Sequence, residues 1–131
     1  MRRSLVTVLA LVAGHVSAGE PPVPKESQGY WVPAGASCKS ELGVFVGANS
    51  VEFRNKQQRR LIKTQACFSC EGGARYSGIV IWVTANAPDS GEFTVYLNSE
   101  ERQGMAKVEI DDAAMRSAFP LGGIALKRCE I

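Results

Sequence analysis

The sequence predicts an all-β domain, a small antiparallel barrel or sandwich of about seven strands with one short helix near residues 112–119, stapled by disulfides. Three observations carry this. Short stretches alternate apolar and polar residues with a period of two, Gly, Asn, Asp and Ser separate them, and the chain holds four cysteines in 131 residues.

Residues 19–29, with Pro21, Pro22 and Pro24, read as an extended, flexible lead-in, so ordered structure is expected from Tyr30 and Trp31. Leu42 to Val46 and Val51 to Arg54 flank Gly47, Ala48, Asn49 and Ser50, a hairpin loop. In the second of these strands Val51 and Phe53 alternate with Glu52 and Arg54, which leaves one face wet. After a turn at Asn55 to Gln58 comes Leu61 to Phe68, with Ile62, Ala66 and Phe68 on one side and Lys63 and Gln65 on the other. Ile79 to Val83 is apolar throughout and reads as a strand covered on both faces or as a buried edge of a barrel. Phe93 to Leu97 and Ala106 to Ile110 alternate again, and Ile124 to Arg128 closes the chain at Cys129. Between the last two strands Asp111 or Asp112 caps a short helix that Pro120 ends; Met115 and Phe119 share its face and are expected to plug one end of the sheet. Residues 30–131 are therefore expected to form one β domain.

Residues 1–18 have the make-up of a secretory signal: Arg2 and Arg3, an apolar run from Leu5 to Val12, and small residues at Ser17 and Ala18. The run falls short of the roughly 20 residues a membrane span needs, so the expectation is cleavage before Gly19, no membrane insertion afterwards, and a periplasmic or secreted protein. Cleavage would remove His15, the chain's one histidine. Of the 15 basic residues Arg2 and Arg3 would go too, and the remaining 13 balance the 13 acidic ones. That balance argues against nucleic acid as a partner, since displacing counterions from phosphate needs a basic excess.

In an oxidising compartment the four cysteines are expected to pair. Three pairings are possible; Cys38 with Cys129 and Cys67 with Cys70 is favoured, because the first ties the two ends of the domain together. The short pair requires Phe68 and Ser69 to turn, because cysteines three apart on an extended strand lie roughly 10 Å from each other, beyond disulfide reach. A thioredoxin-like use of Cys67 and Cys70 would need a helix N-terminus at the first cysteine to stabilise its thiolate, whereas Glu71, Gly72 and Gly73 read as a loop. Zinc is disfavoured by the lack of a second close cysteine pair, and no metal or other cofactor is expected.

Without histidine the familiar hydrolase triads are excluded, and the adjacent carboxylates Glu100 with Glu101 and Asp111 with Asp112 do not flank a common cleft. The chain is not expected to be an enzyme. A basic cluster at Arg54, Lys56, Arg59, Arg60 and Lys63 reads first as a solvated hairpin whose charges discourage edge pairing, and second as a surface for an anionic cell-envelope polymer or an acidic protein. Tyr30, Trp31, Tyr76, Trp82 and Tyr96 could include a sugar-stacking platform; most are expected in the core, with Trp31 the candidate for exposure.

Gly73, Ala74, Arg75, Tyr76, Ser77 and Gly78, leading into a strand with Trp82, resemble the signature loop of the bacterial periplasmic C-type lysozyme inhibitors. The resemblance implies a small exported β-barrel with a disulfide near its termini, whose loop enters the lysozyme cleft and engages its carboxylates. It covers about ten residues. Gly72 stands where that family has a serine, and Thr84 and Ala85 stand where it has a lysine. Apart from any family, a Gly-rich loop beside a bridged cysteine pair is held rigidly and loses little entropy on contact. The expectation is an exported, non-catalytic binding or inhibitor module acting through Glu71 to Ser77, with Arg75, Tyr76, Ser77 and Trp82 as binding residues and a protein or envelope polymer as partner. A thiol-disulfide redox protein using Cys67 and Cys70, and a structural envelope protein, are the alternatives.

Overall fold

Alternation along each strand sends every second side chain to one side of the sheet, and enough of these are Val, Ile, Leu and Phe to fill a closed interior. In the computed structural model, which describes residues 21–87 and 92–130, eight strands do this: β1 (Gly29–Pro33), β2 (Gly43–Val46), β3 (Ser50–Asn55), β4 (Gln58–Cys67), β5 (Ile81–Ala85), β6 (Phe93–Leu97), β7 (Met105–Ile110) and β8 (Leu126–Arg128). Each pairs antiparallel with the next, and β8 pairs back onto β1 through Trp31 with Arg128 and Pro33 with Leu126, closing a barrel. The expected signal segment, residues 1–18, lies outside the described residues.

The interior is filled by Trp31, Val44, Val46, Val51, Phe53, Val83, Val95, Leu97, Val108 and Leu126, all fully buried. A barrel, not a sandwich, is the outcome, with eight strands where the sequence suggested seven. The additional strand is β1. Three other expectations need correction. Ile79 and Val80 precede β5, and no strand is covered on both faces there: Ile81 and Val83 point inward while Trp82 points out. Trp31 is buried completely, whereas Tyr30, Tyr76, Trp82 and Tyr96 are only half-buried. Of these five rings Trp31 alone belongs to the interior, and the other four are partly covered by neighbouring side chains.

The third correction concerns the lead-in. Part of it packs on the barrel: Val23 is 2% exposed, and Lys25–Ser27 form a 3-10 turn. The Trp31 indole N–H donates to the Ser27 carbonyl at 3.0 Å, and the Gln28 amide donates to the Val23 carbonyl at 2.8 Å. These bonds close one end of the barrel with backbone oxygens that an unpacked segment would have left to water.

The opposite end is closed by α1 (Ala113–Ala118). Asp112 caps it, its carboxylate accepting the Met115 N–H at 2.7 Å. Met115 and Phe119 are buried, and Phe119 meets Phe53 at 5.7 Å between ring centroids while Phe53 meets Phe93 edge-on at 5.0 Å. The Asn55 amide, at the end of β3, donates to the Ala118 carbonyl at 2.8 Å and ties helix to hairpin.

Both favoured disulfides are present, Cys38 with Cys129 at 5.7 Å between Cα atoms and Cys67 with Cys70 at 5.6 Å. Phe68 and Ser69 turn as the short pair requires. Among the described residues no helix is long and apolar enough to cross a membrane.

Candidate functional site

The connection from β4 to β5, residues 68–80, stands at the barrel end opposite α1 and holds the Gly-rich loop. Its first support is covalent. Cys67 ends β4, and its bond to Cys70 folds the chain back at once, so that the Gly73 N–H reaches the Ser69 carbonyl at 2.7 Å. Gly73 takes φ +82°, a conformation costly for residues with a Cβ, and the turn continues with the Tyr76 N–H on the Gly73 carbonyl at 2.9 Å.

The second support is the Tyr76 ring, which folds back under the loop. A Cβ at Gly72 would come within 2.9 Å of the ring, and one at Gly78 would run into the Tyr76 hydroxyl and the Glu101 carboxylate. Two glycines therefore make the space this ring occupies. Its hydroxyl accepts the Val80 N–H at 3.0 Å and donates to Glu101, whose other oxygen accepts the Ile79 N–H at 2.9 Å. The carboxylate thus clamps both the ring and the segment that leads into β5. Those two donors, the Ile79 N–H first and the Tyr76 hydroxyl second, hold the Glu101 carboxyl below its ordinary range. Burial, with the Glu101 bond added to it, raises the Tyr76 phenol above its own.

Glu101 is placed by an unusual turn. Asn98, Glu100 and Glu101 all adopt left-handed backbone, with φ of 56°, 57° and 58°. Asn98 fixes the turn from within: its amide donates to the Ile79 carbonyl at 3.1 Å and its oxygen accepts the Gly104 N–H at 3.2 Å. Such strain persists only where neighbouring bonds over-determine it, as they do here.

A third support lies on the barrel wall. Trp82 donates its indole N–H to Glu71 at 2.7 Å and packs edge-on against Tyr96 at 5.1 Å, and Tyr96 in turn donates to Glu109 at 2.8 Å. Of the four residues singled out in the sequence, Tyr76 and Trp82 are thus engaged in holding the loop. Arg75 and Ser77 are exposed, and neither makes a hydrogen bond or ion pair with the described residues. A cleft of about 410 Å³ opens beside the loop, bounded by Ser27, Phe68, Ser77, Ile79, Asn98 and Gln103. Asn98 escaped the sequence reading, and Glu101 entered it only as half of an adjacent carboxylate pair; nothing local marks a glutamate 25 residues from the tyrosine it holds.

Neither Cys67 nor Cys70 stands at the start of a helix; Cys70 leads into the turn. No group of three His, Cys, Asp or Glu residues able to hold a metal occurs among the described residues. Compared with models of known families, with curated proteins and with solved structures, the chain finds no match.

Proposed function

We propose that this is an exported, non-catalytic binding or inhibitor module whose working surface is the loop from Glu71 to Ser77. One observation carries the reading. The loop backbone is held by a disulfide, a buried-side tyrosine and a carboxylate clamp, while Arg75 and Ser77 between those supports stay exposed and uncommitted. A contact surface held this way binds without a large ordering cost, and an unpaired guanidinium favours a carboxylate or phosphate on the partner. The paired cysteines suit an oxidising compartment, in keeping with the export signal read in residues 1–18.

The test is Arg75→Glu combined with Ser77→Ala, which leaves every support in place. Immobilised wild-type protein should retain a partner from envelope or host extracts, and the double variant, folded by circular dichroism, should lose it. Equal retention by both proteins would overturn the assignment of the loop.

A second reading, inhibition of C-type lysozyme, draws on the Gly73-to-Ser77 resemblance together with the closed barrel and its Cys38–Cys129 link. Wild-type protein should slow cell-wall lysis by such a lysozyme and Arg75→Glu should not. Undiminished lysis at high excess of protein would remove lysozyme as the partner and leave the broader reading standing.

A further inference from the structure

At the α1 end of the barrel, away from the loop, a groove of about 220 Å³ lies between the β1–β2 connection and the β3–β4 turn. Lys39 reaches it from the first, Arg54, Lys56 and Arg59 from the second, and Tyr30 forms one wall. Four cations from two separate segments face one carboxylate, that of Glu41. The remaining nearby acid, Glu52, lies behind them, bonded to Arg54 at 2.6 Å and 3.9 Å from Arg59.

The cations are not equivalent. Arg54 is fixed: its guanidinium sits 5.2 Å from the Tyr30 ring centroid and 5.1 Å from that of Phe45, with Glu52 holding its Nε. Tyr30 is itself anchored by donating its hydroxyl to the Ser40 carbonyl at 2.7 Å. Burial raises the Tyr30 phenol, and Arg54 and Arg59 pull it back, the mark of a positive field at the ring. Arg59, with 71% of its side chain exposed, Lys39 and Lys56 stand around this floor with donors turned to water. A chain whose 13 basic and 13 acidic residues beyond residue 18 balance overall thus gathers four cations in one concave place, where attraction for an anion is strongest.

We infer that this groove is an anion site, which takes the phosphate or sulfate ester groups of an anionic polymer or lipid headgroup, with Arg54 as its fixed floor and Lys39, Lys56 and Arg59 as its movable grip. Guanidinium and ammonium donors from two segments converging on a space of this size suit a tetrahedral oxyanion, which accepts several charge-assisted hydrogen bonds at once. The site shares no residue with the loop and does not depend on what the loop binds.

The test follows backbone amide resonances of the full protein during titration with inorganic phosphate, dextran sulfate and phosphatidylglycerol vesicles, using neutral dextran and phosphatidylcholine vesicles as blanks. Saturable shifts are expected at Lys39 to Glu41 and Asn55 to Arg59. Lys56→Ala with Arg59→Ala should weaken polyanion binding about tenfold or more and lower the salt dependence by about two ions. Lys25→Ala with Arg102→Ala, which removes the same charge from exposed positions at the other barrel end, should leave it unchanged. Response to the sulfated polymer but not the vesicles identifies a polymer as the source, and the reverse identifies a headgroup; either supports the site. Equal weakening by both double variants, or no saturable shift with any of the three probes, would overturn it.

Discussion

The two ends of the barrel are closed by different physics. At the α1 end, Met115 and Phe119 drop into the interior against Phe53, and closure comes from apolar burial. At the loop end Val23 of the lead-in also packs inward, but the materials that place the loop are polar and covalent: a four-residue disulfide ring, a tyrosine–glutamate clamp and the bonds of Asn98, beside a cleft that stays open. Burial is non-directional and scales with area, so it supplies stability; hydrogen bonds and a short crosslink add less net energy but fix positions. The difference teaches that the helix end makes the barrel stable while the loop end gives a surface its shape.

The sharpest way to break that division is to attack each end and compare. Phe119→Ala removes the plug and leaves a cavity beside Phe53, and should lower unfolding free energy by about 3–5 kcal/mol in denaturant titrations. The loop resonances should stay where they are until the protein unfolds. Cys67→Ser with Cys70→Ser should cost only about 2 kcal/mol, because a four-residue ring constrains little of the unfolded chain, yet it should broaden or shift the loop signals from Ser69 to Ser77. If the double serine variant proves as destabilising as Phe119→Ala, the loop end bears stability after all and the contrast fails.

The smallest effect is the most informative about the clamp. A carboxyl held below its ordinary range contributes fully above that range, and its contribution disappears as pH falls through the lowered value; this is the case for Glu101. A phenol held above its ordinary range behaves in the opposite sense, contributing at lower pH and failing as pH rises through the raised value; this is the case for Tyr76. The clamp is therefore intact through the neutral range and releases at both extremes. The amide shifts of Ile79 and Val80 should follow an acid limb and an alkaline limb. Glu101→Gln should flatten the acid one. Persistence of the acid limb in that variant would assign it to a different carboxyl.

Much of the fold was legible because it is written in local pattern. Val51, Phe53 and their polar neighbours announce a half-wet strand, Asn55 to Gln58 announces its turn, and Asp112 with Pro120 brackets the helix. β1 was missed for a physical reason. It follows three prolines and ends on a fourth, a composition that looks unpaired, and its place in the sheet is granted by β2 and β8, the latter far along the chain. The aromatic residues misled for a related reason: hydrophobic bulk says that a ring seeks cover, not whether the interior or a neighbouring side chain provides it. Tyr30 is covered by Arg54, Tyr76 by its own loop, and Trp82 by Tyr96.

The candidate site shows the same split. Arg75, Tyr76, Ser77 and Trp82 could be picked out because glycines and cysteines mark a constrained loop. That Tyr76 folds back under its own loop, and that Glu101 receives it, depends on a left-handed turn between β6 and β7 that meets the neighbouring β4–β5 connection. No short motif encodes such a meeting.

The seam between β1 and β8 has a consequence in time. Trp31 and Arg128 are neighbours in the sheet although nearly the whole domain separates them along the chain, so the ring of strands stays open until its last member arrives. A contact of that span demands a costly chain closure before it returns anything, which places this protein among slow folders for its size. Truncation just before β8 would leave β1 and β7 with bare edges and Trp31 with a missing wall, a form suited to aggregation and not to independent life.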